Sequence, residues 1–285
     1  MSSVSQRRAM LRSLIAQGRP LVIPGAYDAV SARLVERAGF PVAYVGSYAT
    51  AASGFGLPDV GLIGMQEMAA YAGAVACAVS VPVLADAENG FNNAANIWRT
   101  VRAFEQVGVA GIHIEDHEFG KHAPVRQVLL PLDQMVGKVR AALDSREDPN
   151  FLIIARTDAM WALDDPEETV RRANAFGDAG SDMVLLAACP PDRLSQVRGD
   201  IRPKVMVTSA PGRMVQAELD AGADAVLCYG LCLYAAYEGV KRALAAFKAD
   251  TQAGELDALA ECAAEFEAFT GVDEFVARAR QYRLA

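Results

Sequence analysis

The sequence has no surplus of basic residues and no long uninterrupted hydrophobic run. Its 285 residues include 27 Lys and Arg against 35 Asp and Glu, which gives a formal charge of −8. Nucleic acids and anionic membrane surfaces are bound by clustered basic faces, so this charge argues against both partners. The longest apolar stretches are too short to span a bilayer, and the first residues, MSSVSQRRAMLRSLIAQG, lack the apolar core of a signal peptide. We therefore expect a cytoplasmic protein that does not bind membranes.

Paired cysteine motifs are also missing. The five cysteines are scattered, and Cys228 and Cys232 have no second pair at the spacing of a zinc site. A structural zinc ion is therefore not expected, and buried free thiols are the simpler interpretation.

The chain contains neither a G-x-G-x-x-G motif after an early strand nor a linker rich in Pro, Gly and Ser. What recurs instead is a helical segment that ends in Ala-Gly or Val-Gly and leads directly into a short apolar strand, as in EQVGVAGIHIED and LDAGADAVLCYG. Glycine after a helix end takes the left-handed conformation that caps it. Strands without polar alternation are typical of parallel strands buried on both faces.

Eight such strands alternate with eight helices. The predicted strands are Leu21–Ala26, Val42–Gly46, Val81–Ala85, Gly111–Glu115, Phe151–Arg156, Met183–Ala187, Lys204–Ser209 and Ala225–Tyr229. This count predicts a single (β/α)8 TIM-type barrel domain over residues 1–285, with an open doubly wound sheet as the alternative. Two more helical stretches follow the eighth unit, so we expect residues 250–285 to form a C-terminal helical extension.

Three carboxylates follow two neighbouring strands. Asp86 and Glu88 come after the third strand, and Glu115 ends the fourth. The carboxyl ends of barrel strands meet at the active-site rim, and crowded carboxylates require a cation there. Oxygen ligands alone favour Mg²⁺ or Mn²⁺ over zinc. The alternative is a set of solvated or helix-capping acids, and Asp116 is either a fourth ligand or a partner of one.

Other polar groups follow the second and fifth strands. The guanidinium of Arg156 matches the two oxygens of a substrate carboxylate, and its alternative role is a salt bridge to one of the acids. Backbone N–H groups at Ser47 and Tyr48 are suited to a developing oxyanion. The Tyr48 hydroxyl is a candidate acid or base, and otherwise lines the wall. Asp158 is a candidate helix cap, and His113 is a candidate packing residue in mid-strand.

Two long loops accompany these strand ends. The segment DHEFGKHAPVRQVLLP, residues 116–131, has the length of a lid over a barrel mouth and contains Lys121 and His122. Either of these residues is a candidate for proton transfer, and the alternative for Lys121 is an exposed loop position. The second loop, residues 47–64, is rich in Ala and Gly and contains Asp59.

The same segments resemble a known superfamily. The motifs are PGAYDAVSARLVERAGF, VGSYATAASGFGLPDVGL, ADAENGFNNAANIWRTVRAFEQVGVAGIHIED and FLIIARTDA. In this order they are similar to the isocitrate lyase/phosphoenolpyruvate mutase superfamily, in particular to its short members that are similar to methylisocitrate lyase. The resemblance implies an α/β barrel with bound Mg²⁺, an enolate-like intermediate, and a last barrel helix that is exchanged between the subunits of a homotetramer.

The resemblance also implies roles for individual residues. Asp86, Glu88 and Glu115 match the metal-site acids, with Glu88 in place of a more usual aspartate. The segment Ser47, Tyr48 and Ala49 matches the part that binds the substrate carboxylate and oxyanion. Asp59 matches an acid near the metal, and Arg156 matches a substrate-binding arginine.

Two departures from the lyases of this superfamily narrow the range of substrates that we expect. Their gating loop carries K-K/R-C-G-H with a cysteine that transfers protons, whereas this chain has Gly120-Lys121-His122-Ala123-Pro124. Their sixth strand ends in Leu-Glu-Ala, whereas this chain has Leu186-Ala187-Ala188. Both changes argue against isocitrate or methylisocitrate as the substrate.

The predicted function is that of a Mg²⁺-dependent lyase acting on a small 2-oxo or 2-hydroxy di- or tricarboxylate. The reaction is either decarboxylation of an oxaloacetate-like acid or retro-aldol cleavage of a substituted malate, with Tyr48, Lys121, His122 and Arg156 as catalytic residues. One alternative is cleavage or rearrangement of the C–P bond of phosphonopyruvate. Another is a non-catalytic barrel that binds a dicarboxylate.

Overall fold

The computed structural model describes residues 2–118, 128–249 and 256–283. Eight parallel strands form a closed barrel in sequence order, which confirms the predicted fold. The strands are β1 (Leu21–Ala26), β2 (Ala43–Val45), β3 (Val83–Asp86), β4 (Gly111–Glu115), β5 (Leu152–Thr157), β6 (Met183–Leu186), β7 (Val205–Thr208) and β8 (Ala225–Cys228). Their ends differ from the predicted ends by no more than two residues.

Helices connect the strands and continue beyond them. Those before and between the strands are α1 (Val4–Ala16), α2 (Ala29–Arg37), α3 (Ser47–Thr50), α4 (Met65–Cys77), α5 (Ile97–Gln106), α6 (Leu132–Ser145), α7 (Ala159–Ala162), α8 (Pro166–Asp178), α9 (Pro191–Val197) and α10 (Val215–Asp220). Those after β8 are α11 (Leu231–Ala249), α12 (Leu256–Thr270) and α13 (Val272–Gln281). A five-residue π-helix, Ala51–Phe55, continues α3.

The first helix was not predicted from the sequence. Ser3 and Gln6 form a reciprocal capping box at the start of α1, which explains where the helix begins. Leu11 is fully buried with the side chains of the barrel interior. Arg7 and Arg8 are also buried and donate to the carbonyl oxygens of Val79 and Val109, which precede β3 and β4. Helix α1 therefore covers the N-terminal end of the barrel.

Two groups of apolar residues build the barrel. The inner group includes Leu84 on β3 and Ile154 on β5, and a larger group lies between the strands and the surrounding helices. Side chains alternate between the two faces of a strand, so Asp86 and Arg156, two residues further on, face the interior at the C-terminal end. The register places Asp86 beside His113 and Glu115 beside Arg156.

The chain divides into two compact units, Met1–Leu233 and Tyr234–Ala285. The first contains all eight strands. In the second, α12 and α13 contact each other, and the rings of Phe266 and Phe269 stack at 6.1 Å, so the helical extension is present as predicted. The single-domain organisation and the exchange of a helix between subunits stay predictions. We find no described helix that combines the length and the apolar character needed to span a bilayer.

Candidate active site

Three buried carboxylates lie together at the C-terminal mouth of the barrel. Asp86 ends β3, Glu88 follows two residues later, and Glu115 ends β4. Each offers a carboxylate oxygen within 4.8 Å of those of the other two. Their side chains are almost fully shielded from solvent. We refer to Asp86, Glu88 and Glu115 as the carboxylate triad.

The backbone at Glu88 adopts an unusual conformation. Its φ of 52° lies in the left-handed region, which costs a residue with a Cβ roughly 1 kcal/mol. Two hydrogen bonds hold it there: the Glu88 N–H donates to Oδ1 of Asp86, and the Glu115 N–H donates to the Glu88 carbonyl, both at 2.8 Å. Such strain persists where the surroundings fix it, often at functional sites. These bonds join the three members of the triad through the backbone.

Asp86 has support from residues behind it. Ser47 donates to Oδ2 of Asp86 through its hydroxyl at 2.9 Å and its N–H at 3.3 Å. The Tyr44 hydroxyl lies 3.4 Å from the same oxygen and 2.9 Å from Nε2 of His113. His113 Nδ1 is 3.7 Å from Oδ1 of Asp86. Asp86 is thus held from two neighbouring strands, and the Ser47 N–H assigned to an oxyanion from the sequence is directed at this carboxylate.

Tyr44 was not predicted from the sequence to belong to the site, and His113 was expected to be a packing residue. Tyr44 lies two residues before Gly46 on β2, and His113 lies two residues before Glu115 on β4. A period of two places both side chains on the same face as the triad, so the alternation of each strand carried the signal.

The other predicted site residues have different environments. Tyr48 is 37% exposed, and its ring meets the ring of Tyr229 edge-on at 5.9 Å. Ala49 is buried in α3, and Asp59 is buried in the loop that follows without belonging to the group of three carboxylates. Lys121 and His122 lie outside the described residues.

Arg156 is bound by two acids. Its Nη1 lies 3.0 Å from Glu115, while Nε and Nη2 donate to the two oxygens of Asp158 at 2.8 and 3.1 Å. A guanidinium has five N–H donors, so one on Nη1 and one on Nη2 remain without a partner among the described residues. Burial alone would lower the pKa of Arg156, but Asp158 and Glu115 raise it well above its usual value. The predicted salt bridge therefore exists and leaves two donors for a ligand.

Asp158 does not cap the helix that it precedes. Its side chain makes no capping hydrogen bond to α7 and is fully buried against Arg156. Nε2 of His117 lies 2.6 Å from Oδ2 of Asp158. Burial alone would raise the pKa of Asp158, but Arg156 and His117 lower it below its usual value. Asp158 therefore occupies the N-cap position of α7, but of the roles open to its side chain it takes the contact with Arg156 and not the capping one.

Asp116 supports this arrangement from outside the triad. Its Oδ1 accepts the Asp158 N–H at 3.0 Å, and its Oδ2 accepts Nη1 of Arg172 at 3.1 Å. Its pKa is raised, mainly by burial and then by the charge of Asp158. Of the two roles considered from the sequence, the supporting role fits these contacts.

The charge and chemistry of the triad fit a divalent cation. Three buried carboxylates converge here, and Arg156, which contacts Glu115, is also engaged by Asp158. Lys138, on α6, donates to the Asn89 carbonyl at 2.8 Å, and burial lowers its pKa. A set of three converging carboxylate oxygens suits Mg²⁺ or Mn²⁺. The residues present therefore fit such an ion.

The chain is similar to several known proteins in sequence and in structure. The phosphoenolpyruvate phosphomutase family profile matches residues 11–248. The chain is 42% identical to 2,3-dimethylmalate lyase of Eubacterium barkeri over 180 residues, which is 62% of each protein. It superposes on a phosphoenolpyruvate phosphomutase from Streptomyces platensis subsp. rosaceus with a TM-score of 0.90 and 32% identity, covering 96% of this chain and 99% of the other.

A second structural relative shows a ligand. Phosphonopyruvate hydrolase, in its complex with oxalate and Mg²⁺, aligns with a TM-score of 0.88 and 25% identity over 99% of both chains. The profile match covers most of the sequence, and the structural match extends across the whole barrel. The chain therefore belongs to the phosphoenolpyruvate phosphomutase family, within the superfamily that it shares with isocitrate lyase.

Proposed function

We propose that this protein is a Mg²⁺-dependent lyase that cleaves a C–C bond of a small 2-oxo or 2-hydroxy dicarboxylate. The observation that carries the proposal is the buried carboxylate triad beside Arg156, which retains two N–H donors for a ligand. The similarity to a 2,3-dimethylmalate lyase supports a C–C lyase, and that alignment spans 62% of the relative's length.

The carboxylate triad and Arg156 bind different parts of the substrate in this proposal. Asp86, Glu88 and Glu115 would hold Mg²⁺ or Mn²⁺, with Tyr44, Ser47 and His113 orienting Asp86. The bound ion supplies positive charge that polarises the oxygen at C2 and neutralises the C1 carboxylate. Arg156 receives the second carboxylate through its remaining pair of N–H donors.

Both candidate reactions need an electron sink and a proton donor. In retro-aldol cleavage the 2-hydroxyl loses its proton, the C2–C3 bond breaks, and its electron pair moves to C3 and the carboxylate held by Arg156. In decarboxylation the C3–C4 bond breaks, CO₂ leaves, and the pair moves to the C2 oxygen as an enolate. Either reaction ends with protonation of C3, for which Tyr48, Lys121 and His122 are the candidate donors.

A substrate screen tests the proposal. Oxaloacetate and alkyl-substituted malates are incubated with the protein and MgCl₂, and release of pyruvate or another 2-oxo acid is followed. Activity that is lost with EDTA and in Asp86→Asn is the expected result. Absence of a 2-oxo acid product from all of these acids would contradict the proposal. Tight oxalate binding without turnover would favour a non-catalytic dicarboxylate-binding barrel.

C–P bond chemistry is the second candidate function. The family profile and a structural match with a TM-score of 0.90 both point to phosphoenolpyruvate phosphomutase, and phosphonopyruvate hydrolase is also a structural relative. Phosphonopyruvate would place its phosphonate where the second carboxylate lies, on Arg156. Formation of phosphoenolpyruvate or release of phosphate would establish this function over the lyase. The homotetramer and the cytoplasmic location stay predictions.

A further inference from the structure

His117 lies behind the arginine that we assign to substrate binding. It follows Asp116, outside β4, and its side chain is 1% exposed. Its Nε2 is 2.6 Å from Oδ2 of Asp158, whose two oxygens accept Nε and Nη2 of Arg156. His117, Asp158 and Arg156 therefore form a series of contacts that reaches the carboxylate triad, since Nη1 of Arg156 contacts Glu115.

We propose that His117 is a positioning residue that holds Asp158, and through Asp158 the guanidinium of Arg156, in the orientation that receives the second carboxylate of the substrate. This inference rests on the proposed function, because it assigns the free N–H donors of Arg156 to that carboxylate.

The plane of the Asp158 carboxylate determines the plane of the guanidinium. A bidentate pair between them is planar, and it leaves the outer N–H donors of Arg156 in a fixed direction. The terminal torsion of an aspartate is soft, so its own backbone does not fix that plane. The contact between His117 and Oδ2, the oxygen that also accepts Nη2 of Arg156, supplies a second constraint on the carboxylate.

His117 is itself held firmly. Its ring lies against the ring of Trp161, with centroids 5.3 Å apart and an interplanar angle of 37°. Its backbone pairs with Leu129 in an antiparallel bridge, and the next residue, Glu118, donates to the Val128 carbonyl at 3.0 Å. The contact of Nε2 with Asp158 is one of distance, 2.6 Å, and not of an aligned hydrogen bond. A ring that served only to pack on Trp161 would not need a nitrogen so close to a buried carboxylate.

Two variants separate positioning from packing. His117→Phe keeps an aromatic ring against Trp161 and removes the nitrogen, whereas His117→Gln keeps an N–H donor close to the position of Nε2. Trp161→Phe is the matched control, since it changes the other ring and leaves the nitrogen. Binding is measured by calorimetry in MgCl₂ with two probes, 3,3-difluorooxaloacetate, which has a second carboxylate, and oxalate, which lacks one beyond the chelating pair.

The expected result is selective for one probe. His117→Phe should weaken the binding of 3,3-difluorooxaloacetate by about tenfold or more, because a misplaced guanidinium loses a directional contact with the ligand. Oxalate binding should change by no more than about twofold, and His117→Gln and Trp161→Phe should resemble the wild type. With a substrate that the enzyme converts to product, His117→Phe should raise KM more than it lowers kcat.

Four outcomes would overturn the inference. Equal weakening of both probes in His117→Phe and His117→Gln would show a structural role, and an unchanged affinity for 3,3-difluorooxaloacetate in His117→Phe would show no role. Failure of the wild type to bind either probe would instead remove the proposed function, and with it this inference. If His117→Phe does not fold, retention of full affinity by His117→Ala would also contradict the proposal, because that variant removes the same contact.

Discussion

The phenol oxygen of Tyr44 lies 2.9 Å from Nε2 of His113 inside the barrel, with the two rings stacked at 5.7 Å. The same oxygen is 3.4 Å from Asp86, so one hydroxyl connects β2, β3 and β4 beneath the candidate metal site. Groups that orient metal ligands in this way affect affinity without touching the ion.

Tyr44→Phe should therefore weaken Mg²⁺ binding while preserving the fold. The loss of a group that orients a ligand lowers metal affinity by about tenfold or more. Titration calorimetry with MgCl₂ measures the effect, and Tyr282→Phe is the control because Tyr282 is largely exposed. Unchanged affinity in Tyr44→Phe would show that Asp86 is oriented without the hydroxyl, or does not bind the ion.

Asp86→Asn should abolish the stabilisation of the fold by Mg²⁺. A ligand that binds only the folded state adds about 2.7 kcal/mol at a concentration one hundred times its Kd. The Tm of the wild type should rise with MgCl₂, and that of Asp86→Asn should not. A Mg²⁺-dependent rise in its Tm equal to that of the wild type would argue against the triad as the site.

Arg156→Lys should lose dicarboxylate binding although the charge is kept. Lysine cannot make the paired bonds to Asp158 that orient the arginine, so affinity for 3,3-difluorooxaloacetate should fall by about one hundredfold. Oxalate binding in MgCl₂ should be largely retained. Arg202→Lys, which changes an exposed ion pair with Asp178, is the control and should behave as the wild type. Equal affinities in Arg156→Lys and wild type would remove Arg156 from the substrate site.

Thiol titration should divide the five cysteines into two classes. Cys77 and Cys262 are exposed, whereas burial raises the pKa of Cys189 to about 12, that of Cys228 to about 11, and also that of Cys232. Only the thiolate reacts, so at pH 8 a disulfide reagent should modify Cys77 and Cys262 quickly. The reaction of Cys228 should accelerate as the pH rises towards about 11. Rapid modification of all five thiols at pH 8 in the folded protein would contradict this arrangement.

Arg8→Ala should destabilise the barrel. Arg8 donates to the carbonyls of Glu105 and Val109 and pairs with Asp148, all with little solvent access. Removal takes away the Arg8 donor to the Val109 carbonyl and the ion pair with the partly buried Asp148, at a cost of about 2 kcal/mol. Urea unfolding measures the loss, and Arg19→Ala at an exposed position should change the free energy of unfolding by less than about 0.5 kcal/mol. Equal midpoints for the two variants would show that the buried contacts contribute little.

The barrel could be predicted because its signal is repeated. Each unit carries the same order of helix, glycine and apolar strand, as in EQVGVAGIHIED, so one misread unit does not change the fold. Helix α1 has no place in that repeat, and its buried face carries Arg7 and Arg8, which a hydrophobic pattern does not recognise.

The triad could be predicted because its members end adjacent strands, but the network behind it could not. Asp158 follows a strand and precedes a helix, where aspartate is an ordinary cap, and only the spatial position of Arg156 reveals its other role. His117 lies in a loop segment without periodicity, so nothing in the sequence points to Asp158. Pairings between distant loops depend on the barrel register, which the order of residues does not state.

Helix α1 affects the side from which the candidate active site is reached. It covers one end of a barrel whose interior is filled by side chains such as Leu84 and Ile154, so the strand ends with the triad are reached from the opposite side. In the proposed reaction, the substrate and both products would therefore use the end of the barrel that α1 leaves uncovered.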